Sequence, residues 1–216
     1  MSKLAIFGTS GFSKEVLDIA IDQYYKEIVF LTHDENIKGE VLGFPIQHEK
    51  DINMLADNGY VFVIAAGSGD IREKIYKKHP NLVYPNLIHS SVTFGYQMEN
   101  VFAEAKGLIF AAGVRVTTAC SFGNFVVLNL NVTIGHDSYV DDFVSVMPGA
   151  NVSGNVHLSH GSYIGTGATV LQGKSEDSKM LIGCKAVVGA GSVVVKPVVE
   201  NTVVVGAPAK ELKRVQ

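Results

Sequence analysis

Apolar residues return every six positions through the second half of the chain. Stepping by six from Phe110 gives Val116, Phe122, Leu128, Ile134, Val140, Val146, Val152, Leu158, Ile164, Val170, Glu176, Ile182, Val188 and Val194, and Glu176 alone breaks the series. Four residues beyond each, the side chain is mostly small or β-branched, as at Val114, Cys120, Val126, Val132, Ser138, Val144 and Ala150. Neither the 3.6-residue period of an amphipathic helix nor the two-residue period of a half-buried strand holds such a phase. A sustained six-residue period predicts a parallel β-helix, with three hexads to each triangular coil and positions one and five turned inward. The fifteen hexads counted from Phe110 predict five coils, each burying its edge against the next. "GKSEDSK", 173–179, keeps the phase but puts Lys174 and Glu176 in inward slots, which predicts a protruding loop in place of one coil.

Residues 1–86 follow another rhythm. "KLAIF" (3–7), "EIVFL" (27–31) and "YVFVIAAG" (60–67) are strand-like runs. Between the first two, Val16, Leu17, Ala20, Ile21 and Tyr24 recur at helical spacing, which predicts a helix over 13–26 capped by Ser13, with Glu15 in its first turn and Lys26 near its end. "SGDIREKIYKKH", after the third run, is also helical in pattern. Strand, helix, strand in this order predicts a small parallel α/β sheet, Rossmann-like, over 1–86, followed by an all-β parallel β-helix and C-terminal tail over 87–216.

Composition narrows the function classes. Of 216 residues, 47% are hydrophobic and 18% charged, with a net charge of −3, so a folded core is expected and disorder is not. No Lys/Arg cluster is present, which argues against nucleic acid or an anionic membrane as partner. Apolar runs are strand-sized, so no membrane span is expected. The opening "MSKLAIFGTSG" leads directly into a strand pattern without a signal-peptide region, and the reading is cytoplasmic. Cys120 and Cys184 do not make a disulfide framework; Cys120 falls on an inward slot.

One polar pair interrupts the apolar rhythm. His136 and Asp137 are positions three and four of the hexad that begins at Ile134, where neither points inward. A solvated turn explains them as simply as a site does. The chemistry of a site is nonetheless available, because imidazole accepts protons near neutral pH and a neighbouring carboxylate stabilises the imidazolium.

"GTSGFSKEV" (8–16), "VLGFPI" (41–46), "AAGSGDIR" (65–72), "PNLIHSSV" (85–92), "IGHD" (134–137) and "VVGAPAK" (204–210) occur in this order over nearly the full length. With these motifs the chain resembles the NeuD/PglD-type sugar O- and N-acetyltransferases. The resemblance implies a left-handed β-helix, an exception to the usual crossover hand. It also implies a homotrimer, with acetyl-CoA in the cleft between neighbouring prisms and a nucleotide-linked amino sugar held by the N-terminal domain. The expected activity is N-acetylation of a 4-amino-4,6-dideoxy sugar for surface polysaccharide or glycan biosynthesis, by direct attack in a ternary complex and without a metal. His136 matches the family's general base and Asp137 the acidic residue that raises its basicity. Ser145, Thr166 and Ala190 match coenzyme contacts. Ala190 lies 54 residues from His136, which at eighteen residues per coil puts it on the same prism face.

Ser10, Gly11, Phe12 and Gly69 match substrate-contacting positions, Phe12 standing where relatives have His. Relatives carry two acidic residues after the second strand, whereas this chain has Thr32-His33 followed by Asp34. Thr and neutral His can both donate and accept hydrogen bonds, so the pair points to a different nucleotide preference. Three alternatives share the β-helix: an O-acetyltransferase of a sialic-acid type sugar, a non-catalytic scaffold, and a metal-dependent hydratase using His136, His157 and His160.

Overall fold

A computed structural model describes residues 2–212. The N-terminal sheet holds β1 (Lys3–Phe7), β2 (Glu27–Thr32), β3 (Glu40–Val41), β4 (Phe44–His48) and β5 (Tyr60–Ile64) in the order β3-β4-β2-β1-β5. All pairings are parallel except the β3–β4 hairpin. Successive side chains of a strand face opposite ways. On β1, Leu4 and Ile6 therefore enter one core with Val16, Leu17 and Ala20 of α1 (Gly11–Asp22), while Ala5 and Phe7 enter a second with Ile52 and Leu55 of α2 (Ile52–Asp57). A third helix, α3 (Gly69–Lys78), follows β5.

The first helix departs from the sequence expectation. It starts at Gly11 with Ser10 as its N-cap residue, so Ser13 lies inside the first turn, fully buried, and caps nothing. No acidic residue sits in that first turn, and Lys26 lies beyond the helix end. The apolar spacing located the helix, but the N-cap position falls on Ser10, three residues before the expected Ser13.

From Leu87 the chain winds into a triangular prism of parallel strands. The first face holds strands at 87–88, 109–110, 127–128, 145–146, 163–164, 187–188 and 203–205, closed by an antiparallel 210–211. The second holds 93–94, 115–116, 133–134, 151–152, 169–170 and 193–194, and the third 121–122, 139–140, 156–158 and 180–182. Partners such as Val127↔Ser145 and Thr133↔Asn151 are eighteen residues apart, as three hexads per coil require. Position-one residues Leu128, Ile134, Val146 and Leu158 are fully buried, as are position-five residues Val132, Val144, Ala150 and Ala168. The third face lacks a strand in the first coil, where α4 (Met98–Glu104) instead lays Met98 and Phe102 over the prism end, Phe102 packing edge-on against Phe110 and Phe122. The hexad pattern starts only after this helix, and the sequence reading missed it.

The break at 173–179 is smaller than a coil. Strand partners across it are Tyr163↔Val187 and His157↔Leu181, twenty-four residues apart instead of eighteen. One hexad, not three, has left the prism.

Sheet and prism share their cores. The α1 side of the sheet continues into Leu87, Ile109, Val127 and Met147 of the first prism face, and the other side into Phe125 and Phe143. Between them lies Arg72 of α3, 0% exposed. Its Nε donates to Phe125 O (2.9 Å), Nη1 to Ala66 O (2.8 Å) and Gly67 O (3.2 Å), and Nη2 to Phe143 O (2.8 Å), Val144 O (2.9 Å) and Ser145 Oγ (3.0 Å). Burial pulls its pKa down to about 9, which still leaves the guanidinium charged at neutral pH.

Candidate active site

The corners of the prism impose their own backbone rule. Each position-four residue donates its N–H to the position-three carbonyl of the previous coil, as Asp137 does to Thr118 O (3.2 Å) and Asn155 to His136 O (2.8 Å). These residues adopt positive φ, 57° at Asn131, 56° at Asp137 and 55° at Asn155. Asn and Asp tolerate that region better than other non-glycine residues. The turn thus accounts for an Asp at 137, but it sets no requirement for a histidine at 136.

His136 stands on the edge between the second and third faces with its side chain 58% exposed. Its Nδ1 lies 2.6 Å from Asp137 Oδ2. A carboxylate only accepts, so Nδ1–H donates, and in the neutral ring Nε2 is the nitrogen left as an acceptor. The ring rests on the next coil at Gly154, where an added Cβ would come 2.5 Å from Nε2 and 2.7 Å from Cε1. Glycine at 154 is therefore the seat of the imidazole, and stepping eighteen residues from 136 finds it. Gly154→Ala is expected to tilt the ring away and lower kcat roughly ten- to a hundredfold, the scale of a misplaced reacting group. Melting should be near wild type, since Gly154 does not need positive φ. Steady-state kinetics beside a thermal melt check it.

The expected substrate residues divide into two places. Ser10, Thr32 and His33 line one crevice of about 360 Å³ at the carboxyl ends of β1, β2 and β5, together with Gly8, Thr9 and Glu49. Such crevices are where open α/β sheets bind ligands. Gly11 opens α1 beside it, and a Cβ there would meet nothing within 4 Å. The Ser10 side chain makes no cap hydrogen bond. Thr32 Oγ1 accepts from Asp34 N (3.2 Å), and Asp34 in turn accepts from Asn36, whose N–H holds the Asp34 carboxyl below its usual range.

Phe12 and Gly69 lie elsewhere. Phe12 packs against the core at the domain seam. Gly69 begins α3 in close contact with Phe143 O, which leaves no room for a Cβ, and borders a cleft of about 430 Å³ with Asp70, Tyr163 and Lys185. Glu49 was not anticipated. It reaches the crevice from a short turn after β4, paired with Lys78 at 3.0 Å, a position that no strand or helix period marks.

The expected coenzyme residues also separate. Thr166 and Ala190 stack on one corner, Gly191 N donating to Thr166 O (2.8 Å). That corner joins the first and second faces, because Ala190 follows strand 187–188. Ala190 is therefore not on the edge of His136. Six of the 54 residues between them form the loop, so the count of three whole coils fails. Ser145, expected at the coenzyme, is 1% exposed at the seam, with its hydroxyl donating to Gly67 O (2.8 Å) and accepting from Arg72.

Burial pushes the Cys120 thiol pKa up, and its Sγ–H donates to Gly135 O at 3.2 Å, as suits a core residue. His157 donates to Asp141 (3.0 Å) and His160 lies 3.5 Å from Glu73, so the three histidines do not converge. Among the described residues no group of three His, Cys, Asp or Glu side chains could hold a metal ion, and no helix is long and apolar enough to cross a membrane.

Residues 3–79 match the family model described as the PglD N-terminal domain. Over nearly the whole chain the fold matches the acetyltransferase domain of PglB from Neisseria gonorrhoeae, solved in complex with acetyl coenzyme A, at 31% identity and TM-score 0.85, covering 97% of this chain and 98% of that one. WeeI from Acinetobacter baumannii matches at 28% identity and TM-score 0.85, covering 98% and 100%. PerB from Caulobacter crescentus, in complex with CoA and GDP-perosamine, is alike in fold at 22% identity and TM-score 0.75, covering 99% and 98%. The prism is thus a left-handed parallel β-helix.

Proposed function

The chain belongs to the NeuD/PglD-type sugar acetyltransferases and is an acyltransferase, and from that premise we propose that it carries the acetyl group of acetyl-CoA to the amine of a nucleotide-linked 4-amino-4,6-dideoxy sugar. The observation that carries the reading is the His136–Asp137 hydrogen bond, which selects the tautomer of the neutral ring that leaves Nε2 to accept a proton, on a side chain more than half exposed. As the sugar nitrogen bonds to the thioester carbonyl carbon, its proton passes to Nε2. Asp137 stabilises the imidazolium formed; the carbon–sulfur bond then breaks, and the imidazolium proton passes to the departing sulfur to release the coenzyme thiol and restore His136. The chain needs no nucleophile of its own. The sugar nucleotide is assigned to the crevice of Ser10, Thr32 and His33, beside the first turn of α1, whose N–H groups suit a phosphate. Thr166 and Ala190 are assigned to the coenzyme.

We assign the working form to a homotrimer. His136 stands on an open edge of one prism, and the nucleotide crevice is lined by residues of the N-terminal sheet domain alone. A neighbouring copy supplies the second wall of the cleft and brings its own crevice to it. Light scattering is expected to show a three-fold assembly, and a fully active monomer would retire this part of the reading. For the reaction itself, UDP-, dTDP- and GDP-linked 4-amino-4,6-dideoxy sugars are each offered with acetyl-CoA. Release of coenzyme thiol with at least one of them is the expected result, and release with none would sink the proposal.

A further inference from the structure

The lone hexad lost from the prism is lost on the edge that carries His136 and Asp137. The loop leaves at Gly173, whose N–H donates to Gly154 O (3.1 Å), and returns at Met180, whose N–H donates to Asn155 O (2.8 Å). Gly154 and Asn155 form the corner one coil on from His136 and Asp137. Lys174 N donates to Ser178 O (2.9 Å) across the base of the loop. Its last residue, Lys179, reaches back over that coil. The ammonium donates to the backbone carbonyl of Asp137 and stands 3.9 Å from the centroid of the Tyr139 ring.

We propose that Lys179 is a positioning residue for the His136–Asp137 pair, and that the loop exists on this edge to present it. The proposal rests on the reading of His136 as the base. Asp137 sits at positive φ, with its N–H tied to Thr118 O. Among the described residues no backbone N–H donates to its carbonyl. Lys179 takes that carbonyl, so both sides of the residue are fixed and with them the direction of the Cα–Cβ bond. That direction sets where Oδ2 meets Nδ1 of His136 and hence where Nε2 points. The Tyr139 ring holds the ammonium by a cation–π contact and keeps the lysine stem from wandering. A compact ammonium with three donors can serve the carbonyl and the ring together. The contact is through the backbone of Asp137, so Lys179 acts on the reaction through the pair and touches neither substrate.

The test is kinetic, on the full chain with acetyl-CoA and its amino-sugar acceptor. Lys179→Met is expected to lower kcat roughly ten- to a hundredfold, with both KM values within about twofold of wild type. Lys179→Arg, which can still donate to the carbonyl and lie on the ring, should recover most of kcat. Lys174→Met, in the same loop, should match wild type, and the melting temperatures of all three should agree with it. His136→Ala is run alongside. An inactive His136→Ala with a wild-type kcat in Lys179→Met overturns the positioning role and leaves the base in place. A higher KM with kcat kept in Lys179→Met also overturns it, since that would mark a substrate contact. An active His136→Ala removes the base itself, and the proposal with it.

Discussion

His136→Ala is expected to lower kcat by roughly two to four orders of magnitude, the usual worth of a positioned general base. The fold should survive, because the side chain is more than half exposed and its backbone carbonyl, which holds Asn155, is unchanged by the substitution. KM for acetyl-CoA should move little, since Nε2 meets the acceptor's proton and not the coenzyme. His136→Asn is a useful companion, because it keeps a polar group near Asp137 but cannot take up a proton at neutral pH. Asp137→Asn should fall less far than His136→Ala, as the neutral amide can still orient the ring but stabilises the imidazolium poorly. A well-folded His136→Ala with near-wild-type turnover would remove His136 as the base.

The largest expected effect on stability belongs to Arg72. Its guanidinium makes six hydrogen bonds, all to backbone carbonyls or a hydroxyl, with no carboxylate partner among the described residues. It is buried at the seam, so the charge is met only by the dipoles aimed at it. Arg72→Met keeps an apolar stem but strips the partners from Phe125 O and Phe143 O. Two buried carbonyls left bare cost about 1–3 kcal/mol each, so a loss on the order of 4 kcal/mol is expected in urea unfolding. Arg72→Lys should also be costly, because an ammonium cannot span the fork of acceptors that the guanidinium reaches. A loss within about 1 kcal/mol for Arg72→Met would show that the seam is held by the shared apolar cores instead. Gly67, held by Nη1, lines the crevice, so weaker binding of the sugar nucleotide should accompany any partial loosening.

Much of this could be read from the residues in order. The prism was legible because its inward slots repeat at fixed intervals, apolar at position one and mostly small or β-branched at position five. The same regularity misled the count at 173–179. The loop kept the six-residue phase, which says that a multiple of six was inserted but not how many faces it spans, so one hexad was read as a coil and Ala190 was put on the wrong face. Met98 and Phe102 form too short a helix to show a period, and their role as a lid on the prism end depends on packing against Phe110 and Phe122. His136 and Asp137 stood out because they break an apolar rhythm. Gly154 follows from them by one coil's step. Arg72 could not be found this way, since a lone arginine in a helix of alternating charge reads as a solvated position until the prism closes over it. Ser145 was matched to a coenzyme contact by resemblance alone, which carries no information about the seam. Its slot faces outward from the prism, but outward there means toward the sheet domain.

The central claim is direct transfer of an acetyl group to a sugar amine with Nε2 of His136 as the proton acceptor. The measurement that tests it most directly is the structure of the product formed from acetyl-CoA and the best amino-sugar nucleotide in the panel, by mass spectrometry and NMR, with wild-type protein and with His136→Ala. The account predicts one acetyl group as an amide on the sugar nitrogen, formed by the wild type and nearly absent with the variant. An alkali-labile ester on a sugar hydroxyl, or amide formed equally well by His136→Ala, would contradict it.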